Sequence, residues 1–283
     1  NNLEQALPQC GVGQADILYE ALAEGGITRM VGIFQDISQA GALGSIRSAR
    51  SYLIDFALAY DAIFVHAGGS PQAYSDIKAK KVTSIDGVNG QLGLQAYYRD
   101  RDRMASAGYE HSLFSSSALF EQYIAPLDIR HTHEESYEYR QKFAQDGTPD
   151  GESAQLFRAY FTPSKATSFE YDPQTKQYLV YEYGAPYVDG NTGQQVSVTN
   201  VLCLYTDVAR IEADSAGRIT TRTTGSGSGF FACGAKMTQI EWSRVDDYAQ
   251  YTYTLADASP LVLGRGKTYI CILPEGSAVE VVE

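Results

Sequence analysis

The sequence predicts two units of different class. Residues 1–145 read as an α/β domain of βαβα order with a mainly parallel sheet, and residues 154–283 as a mainly antiparallel β domain. Three observations carry this. Over about fifty residues from Ile27, apolar strand-like runs alternate with helix-like ones. The stretch 145–153 (Q-D-G-T-P-D-G-E-S) is dense in turn formers and breaks the pattern. Beyond it, short runs of alternating apolar and polar residues recur between turn signals, without a helical period.

Taken in order, residues 14–24 (Q-A-D-I-L-Y-E-A-L-A-E) put Ile17, Leu18, Ala21 and Leu22 on one helical face, with Gly25-Gly26 as a C-cap. A β-hairpin turning at the glycines is the rival reading. Ile27–Phe34 is an apolar strand. A loop leads to Gly44-Ser45-Ile46-Arg47-Ser48-Ala49-Arg50, and Ser48 is the expected N-cap of a buried helix over 52–60. Ala62–His66 follows as a second buried strand. Ser70 then caps a further helix with Pro71 at its first position, where the fixed φ suits a helix start. Strand, helix, strand, helix within about fifty residues is a right-handed parallel unit. Leu94–Arg99 reads as a strand, 99–103 as a solvated charged turn, and 115–123 as a helix opened by serines. A polar linker accounts for His131 and His133 better than a metal site, since no third ligand has the right spacing.

In the second unit, strands at 167–171 and 178–183 flank a hairpin turn at 172–176. Further strands are expected near 200–205, 218–223, 229–233, 236–242, 249–254 and 268–273, with turns at 189–193 and 225–229.

Composition narrows the function. Apolar residues at 44% and charged residues at 20% describe a folded chain, and a net charge of −12 argues against a nucleic-acid partner, which needs a basic face. No apolar run reaches the ~18 residues of a membrane-spanning helix, and Asn1 opens on polar sequence without a signal-peptide pattern. The four cysteines lack metal-type spacing, and no cofactor motif is present.

The candidate site centres on Arg47, Ser48 and Arg50. A helix start favours anions, and guanidinium forks fit carboxylate or phosphate. The structural alternative has both arginines bridging to Asp55, Glu20 or Glu24. His66, Gly68, Gly69 and Ser70 fall on the same carboxyl edge of the expected sheet, where open α/β sheets bind ligands. The spacing therefore predicts that Arg47 and Arg50 line a concave site with His66 and Ser70. The Gly-Lys-Ser/Thr ending of a phosphate loop is absent.

Several segments together resemble one family. They are Ala15-Asp16-Ile17-Leu18-Tyr19-Glu20, Glu24-Gly25-Gly26-Ile27-Thr28-Arg29, Ser45-Ile46-Arg47-Ser48-Ala49-Arg50, His66-Ala67-Gly68-Gly69-Ser70, Ile240-Glu241-Trp242-Ser243, Pro260-Leu261-Val262-Leu263 and Gly264-Arg265-Gly266-Lys267-Thr268-Tyr269-Ile270. Across nearly the whole chain they are similar to the YerB-type lipoproteins. The resemblance implies a bacterial, exported protein, extracytoplasmic and held at the membrane by a lipid on an upstream cysteine, with two domains of unknown biochemical function. It brings no catalytic residues. Gly264-Arg265 stands where an asparagine-containing turn is usual, and Tyr269 where a tryptophan is.

The leading expectation is a cell-envelope binding or accessory protein. Its first domain would recognise an anionic or carbohydrate component, and its second would dock an envelope polymer or protein partner. The alternative is a phosphoryl- or glycosyl-transfer enzyme in which Arg29, Arg47 and Arg50 hold a diphosphate and Glu20, Asp55 or His66 acts as base. A hydrolase would need a serine oxygen within hydrogen-bond reach of His66 or His111, with an acid behind it.

Overall fold

A strand buried on both faces reads as an unbroken apolar run, whereas one buried on a single face alternates. Ile17–Leu22 (β1) is the first kind: all six residues are buried. Ile17, Tyr19 and Ala21 enter one core while Leu18 and Leu22 enter another. The helix expected over 14–24 is therefore corrected to a strand. Its apolar residues, lacking alternation, mimic a helical face. Gly25 and Gly26, at φ +75° and +74°, turn the chain into Thr28–Ile33 (β2), which pairs antiparallel with β1. The hairpin reading holds.

The computed structural model describes residues 1–90, 92 and 95–282. After β2 come Ala42–Gly44 (β3), Ser51–Leu58 (α1), Phe64–His66 (β4), Pro71–Ala79 (α2) and Ser84–Asp86 (β5). Tyr98–Arg99 (β6), Arg101–Ser106 (α3) and Leu113–Ser116 (β7) complete this part. The principal strands of the second half are Leu156–Thr162 (β8), Lys165–Asp172 (β9), Gln177–Glu182 (β10), Asn200–Thr206 (β11), Gly225–Cys233 (β12), Lys236–Arg244 (β13), Thr252–Thr254 (β14), Thr268–Pro274 (β15) and Val279–Val281 (β16).

An eight-stranded sheet runs β2-β1-β15-β11-β12-β13-β14, with the short strand Glu152–Ser153 also on β13. β15 lies parallel to both β1 and β11, while the remaining pairs are antiparallel. A second, antiparallel sheet contains β10-β9-β8-β16. One face of the large sheet packs on this second sheet through Phe157, Phe169, Tyr178 and Tyr269. The other packs on α1, where the Phe56 ring stacks on Tyr19 at 4.6 Å. Residues from both ends of the chain thus share one sheet.

The first part departs from a βαβα sheet. β2 joins the large sheet, so the parallel pairing predicted there is confined to β4 and β5, joined through α2. Ser70 caps α2 as expected, accepting from the Ala73 N–H at 3.1 Å, with Pro71 at the first position. Ser48 does not cap α1. The capping position is Arg50, which makes no side-chain cap bond, because the helix starts two residues later than the serine requires. Of residues 99–103, read as a solvated turn, Asp100 caps α3 and 101–103 open it. Of the strand expected over 94–99, Tyr98–Arg99 is present, and Leu94 lies outside the described residues. Gly225–Gly229, read as a turn, opens β12. The small residues admit close neighbours: a Cβ on Gly229 would meet the Cys203 carbonyl oxygen at 2.3 Å. No helix among the described residues is long and apolar enough to cross a membrane.

Candidate functional site

Two loops meet where the sequence concentrated its polar groups. The backbone of 47–49 runs beside that of 67–70: Ala67 N–H bonds to Arg47 O, Ala49 N–H to Gly68 O, and Ser70 N–H to Ala49 O. The side chains then part. Arg50, buried, turns to Glu24 through Nε at 3.1 Å and a second, shorter contact from its other nitrogen. Arg29, also buried, reaches the same carboxylate at 3.0 Å, the Ser48 carbonyl at 2.7 Å and Asn1 Oδ1 at 2.9 Å. Burial works to raise the Glu24 carboxyl, but the hydrogen bonds from Arg50 and the charge of Arg29 hold it below its ordinary value. Burial, followed by the charge of Arg50, brings Arg29 down to about 10. Arg47 leaves this group and pairs with Glu110 at 2.9 Å.

His66 is buried, and its Nδ1 lies 2.8 Å from Gly68 O and 3.9 Å from the Asp86 carboxylate. Asp86 accepts from the Gly68 and Val88 N–H groups and the Tyr74 hydroxyl. Burial would raise its carboxyl, yet these bonds hold it low. Ser70 Oγ is engaged in capping, and among the described residues no serine oxygen bonds to His66 or His111.

The other candidates lie elsewhere. Glu20 is sealed between the two sheets, where Asn2, Thr28, Thr167, Tyr269 and Lys165 surround it. Asp55, on α1, binds Lys80 and Thr223; burial raises its carboxyl despite Lys80. His111 meets Gln5 at 3.1 Å and is shifted down by burial and then by the charge of Arg47.

A cavity of about 1510 Å3 lies between β2 on one side and β4, α1 and the 44–49 segment on the other. Arg29, Arg47, Ser48 and His66 line it, whereas Arg50, Gly68, Gly69 and Ser70 sit beside it along the chain without entering the lining. Three polar atoms in its lining residues are buried without a hydrogen-bond partner: Ser45 Oγ, Arg47 Nε and His66 Nε2. Such atoms are costly to leave unpaired, but none of the three is accessible to solvent, so they lie within the cavity wall rather than on the surface a ligand would touch. Among the described residues no cluster of metal-ligating side chains occurs.

Ser45 was not among the candidate site residues read from the sequence, and nor were Arg130, Arg265 and Lys267, which also line the cavity. Only the convergence of distant segments marks them. Of Glu182 and Lys165, which close the buried cluster around Glu20, Glu182 falls within the strand expected at 178–183, while Lys165 precedes the one expected at 167–171.

Fold and site together define a two-sheet β protein with an α/β lobe over one sheet and a cavity where the lobe meets the sheet edge. The sequence matches the N-terminal domain of the DUF3048 proteins of unknown function over residues 1–130 and their C-terminal domain over residues 157–270, and the chain belongs to that family. It is similar to a Bacillus subtilis (strain 168) protein named "Putative lipoprotein YerB", with 26% identity over 288 aligned positions, 99% of this chain and 81% of that protein. The crystal structure of the YerB protein from Bacillus subtilis matches with a TM-score of 0.83 at 25% identity, over 99% of this chain and 91% of that one.

Proposed function

We propose that this chain is a binding or accessory protein of the cell envelope, extracytoplasmic and membrane-anchored, whose cavity receives an anionic component. One observation carries the reading: Arg29, Arg47, Arg130, Arg265 and Lys267, drawn from distant segments, line a single cavity in which the acids are Asp16 and Asp61. The envelope location follows the name of the Bacillus relative. Arg29 and Arg50 support the wall by clamping Glu24, and Arg47 is the cation that faces the ligand.

Thermal melts with and without sulfate or phosphate test this. The wild type is expected to melt higher with the anion. Arg47→Ala is expected to lose that increment and to cost less basal stability than Arg50→Ala, because its partner Glu110 is exposed and is taken up by water when the pair is broken. Arg50→Ala is expected to lose about 1.5–3 kcal/mol, the worth of charged hydrogen bonds from a buried guanidinium to a carboxylate that keeps Arg29 as its other partner, and to keep its response to the anion. A wild type indifferent to both anions would overturn the reading.

A further inference from the structure

Seven consecutive residues, 29–35, line the cavity. Side chains of a strand alternate between faces, so a cavity meeting one face would be lined by every second residue. An unbroken lining places the cavity against the strand's edge. β2 is the end strand of its sheet and pairs only with β1 among the described strands.

The register identifies the free groups. Ala23 N–H donates to Ile27 O, so alternate residues Ile27, Arg29, Val31 and Ile33 direct their backbone groups toward β1, while Thr28, Met30 and Gly32 direct theirs outward. Asn2 N–H meets Thr28 O on that outer side at 2.8 Å, in agreement with this phase. Beyond it, Met30 and Gly32 face the cavity with no further strand among the described residues. β4 lines the cavity in the same unbroken way, over residues 62–66, and pairs only with β5 among the described strands. Phe64 N–H bonds to Thr83 O and Gly87 N–H to His66 O, so Val65 turns its backbone groups away from β5.

We propose that the cavity is a slot for an extended polypeptide segment of a partner protein, which adds a strand to the free edge of β2 and carries an acidic side chain. The proposal rests on the binding role argued above and names the ligand's chemistry. Edge groups spaced as in a strand match another strand's backbone, while pockets along the walls select its side chains. The walls include Leu53, Ala57, Ile63, Phe64 and Phe143, apolar positions against which alternate side chains can lie. Five cationic side chains, Arg29, Arg47, Arg130, Arg265 and Lys267, line the cavity against the acids Asp16 and Asp61. Counting the outer partners Glu24, Glu110 and Glu134 as well, the region is neutral in a chain of net charge −12, and Arg265 and Lys267 have no carboxylate partner among the described residues. The volume, about 1510 Å3, exceeds the roughly 300–1,000 Å3 of small-molecule pockets.

The test uses the whole chain. A phage-displayed random dodecapeptide library is panned on it, and enriched peptides are synthesised for binding and residue-resolved amide exchange. Enriched peptides are expected to alternate apolar residues around an acid and to slow exchange at Met30 and Gly32. Gly32→Pro deletes an outward N–H without touching the β1 ladder and is expected to weaken binding about ten-fold or more, while Gly32→Ala keeps the N–H and most of the affinity. If Gly32→Pro misfolds, the exchange data on the wild type decide.

Peptides that bind without protecting Met30 and Gly32 would overturn the strand pairing and leave the binding role standing. An anion response through Arg47 with no enriched peptide would overturn the polypeptide ligand alone. Failure of both overturns both. Protection of the same amides without peptide, through self-association or in a chain extended upstream of Asn1, would assign the slot to this protein's own chain and overturn the partner.

Discussion

Two carboxylates and one ammonium share the space between the sheets, and their titration sets a pH dependence. Burial, followed by the charge of Glu20, pushes the Glu182 carboxyl up to about 8. Burial opposes ionisation of Glu20 too, but Lys165 and the hydroxyls of Thr167, Thr28 and Tyr269 hold it below its ordinary value. The folded state therefore holds the Glu182 proton more tightly than the unfolded chain, where the group titrates near 4.5. This contribution to stability is complete below the unfolded value and is lost as pH rises through about 8. Glu182→Gln keeps a neutral side chain throughout. Its melting temperature relative to wild type is expected to climb between about pH 5 and pH 8. A difference that stays flat over that window would contradict the assignment. None of this was visible at Glu20 alone, because Asn2, Lys165, Thr167 and Glu182 reach it only in the folded chain.

At the scale of elements, the two short helices show what local sequence can and cannot specify. α2 has a cap and a proline at the positions its sequence predicts, and the Ser70 hydroxyl satisfies an otherwise unpaired amide. Ser70→Ala is expected to cost about 1 kcal/mol in urea unfolding. Ser48→Ala is expected to change helix stability little, since α1 is capped two residues later without a side-chain bond. Equal costs for the two serines would undo this distinction. α1 persists because Tyr52, Leu53, Ile54, Phe56 and Ala57 are buried against the large sheet, and packing of this kind outweighs a missing cap in short helices. β1 makes the same point for strands: buried on both sides, it loses the alternation by which a strand is recognised.

For the molecule as a whole, the large sheet decides how far its halves are independent. β1, from the first half, lies between β2 and β15, so its backbone pairs with both ends of the chain. Lys142–Ala144 likewise pairs with Val262–Gly264 across the turn-rich stretch 145–153. A protease nick at 145–153 is expected to leave fragments that co-elute under native conditions and lose their structure when separated in denaturant and refolded singly. Two fragments that each refold alone, judged by circular dichroism and cooperative melting, would instead support two independent domains.

The sequence by itself determined what depends on near neighbours. This includes the antiparallel strands of the second half, the hairpin at 172–176, the cap of α2, the helix after the arginine stretch, and the family to which the chain belongs. It also placed Arg47 and His66 among the residues that line the cavity. Tertiary structure decided whatever depends on partners far along the chain. Glu24 drew Arg50 out of the lining, Glu20 was sealed among residues from both halves, and β2 became a sheet edge facing β4. The reason is physical. Backbone geometry and capping act over a few residues, whereas ion pairing and sheet order are settled by segments that meet only when the chain is folded.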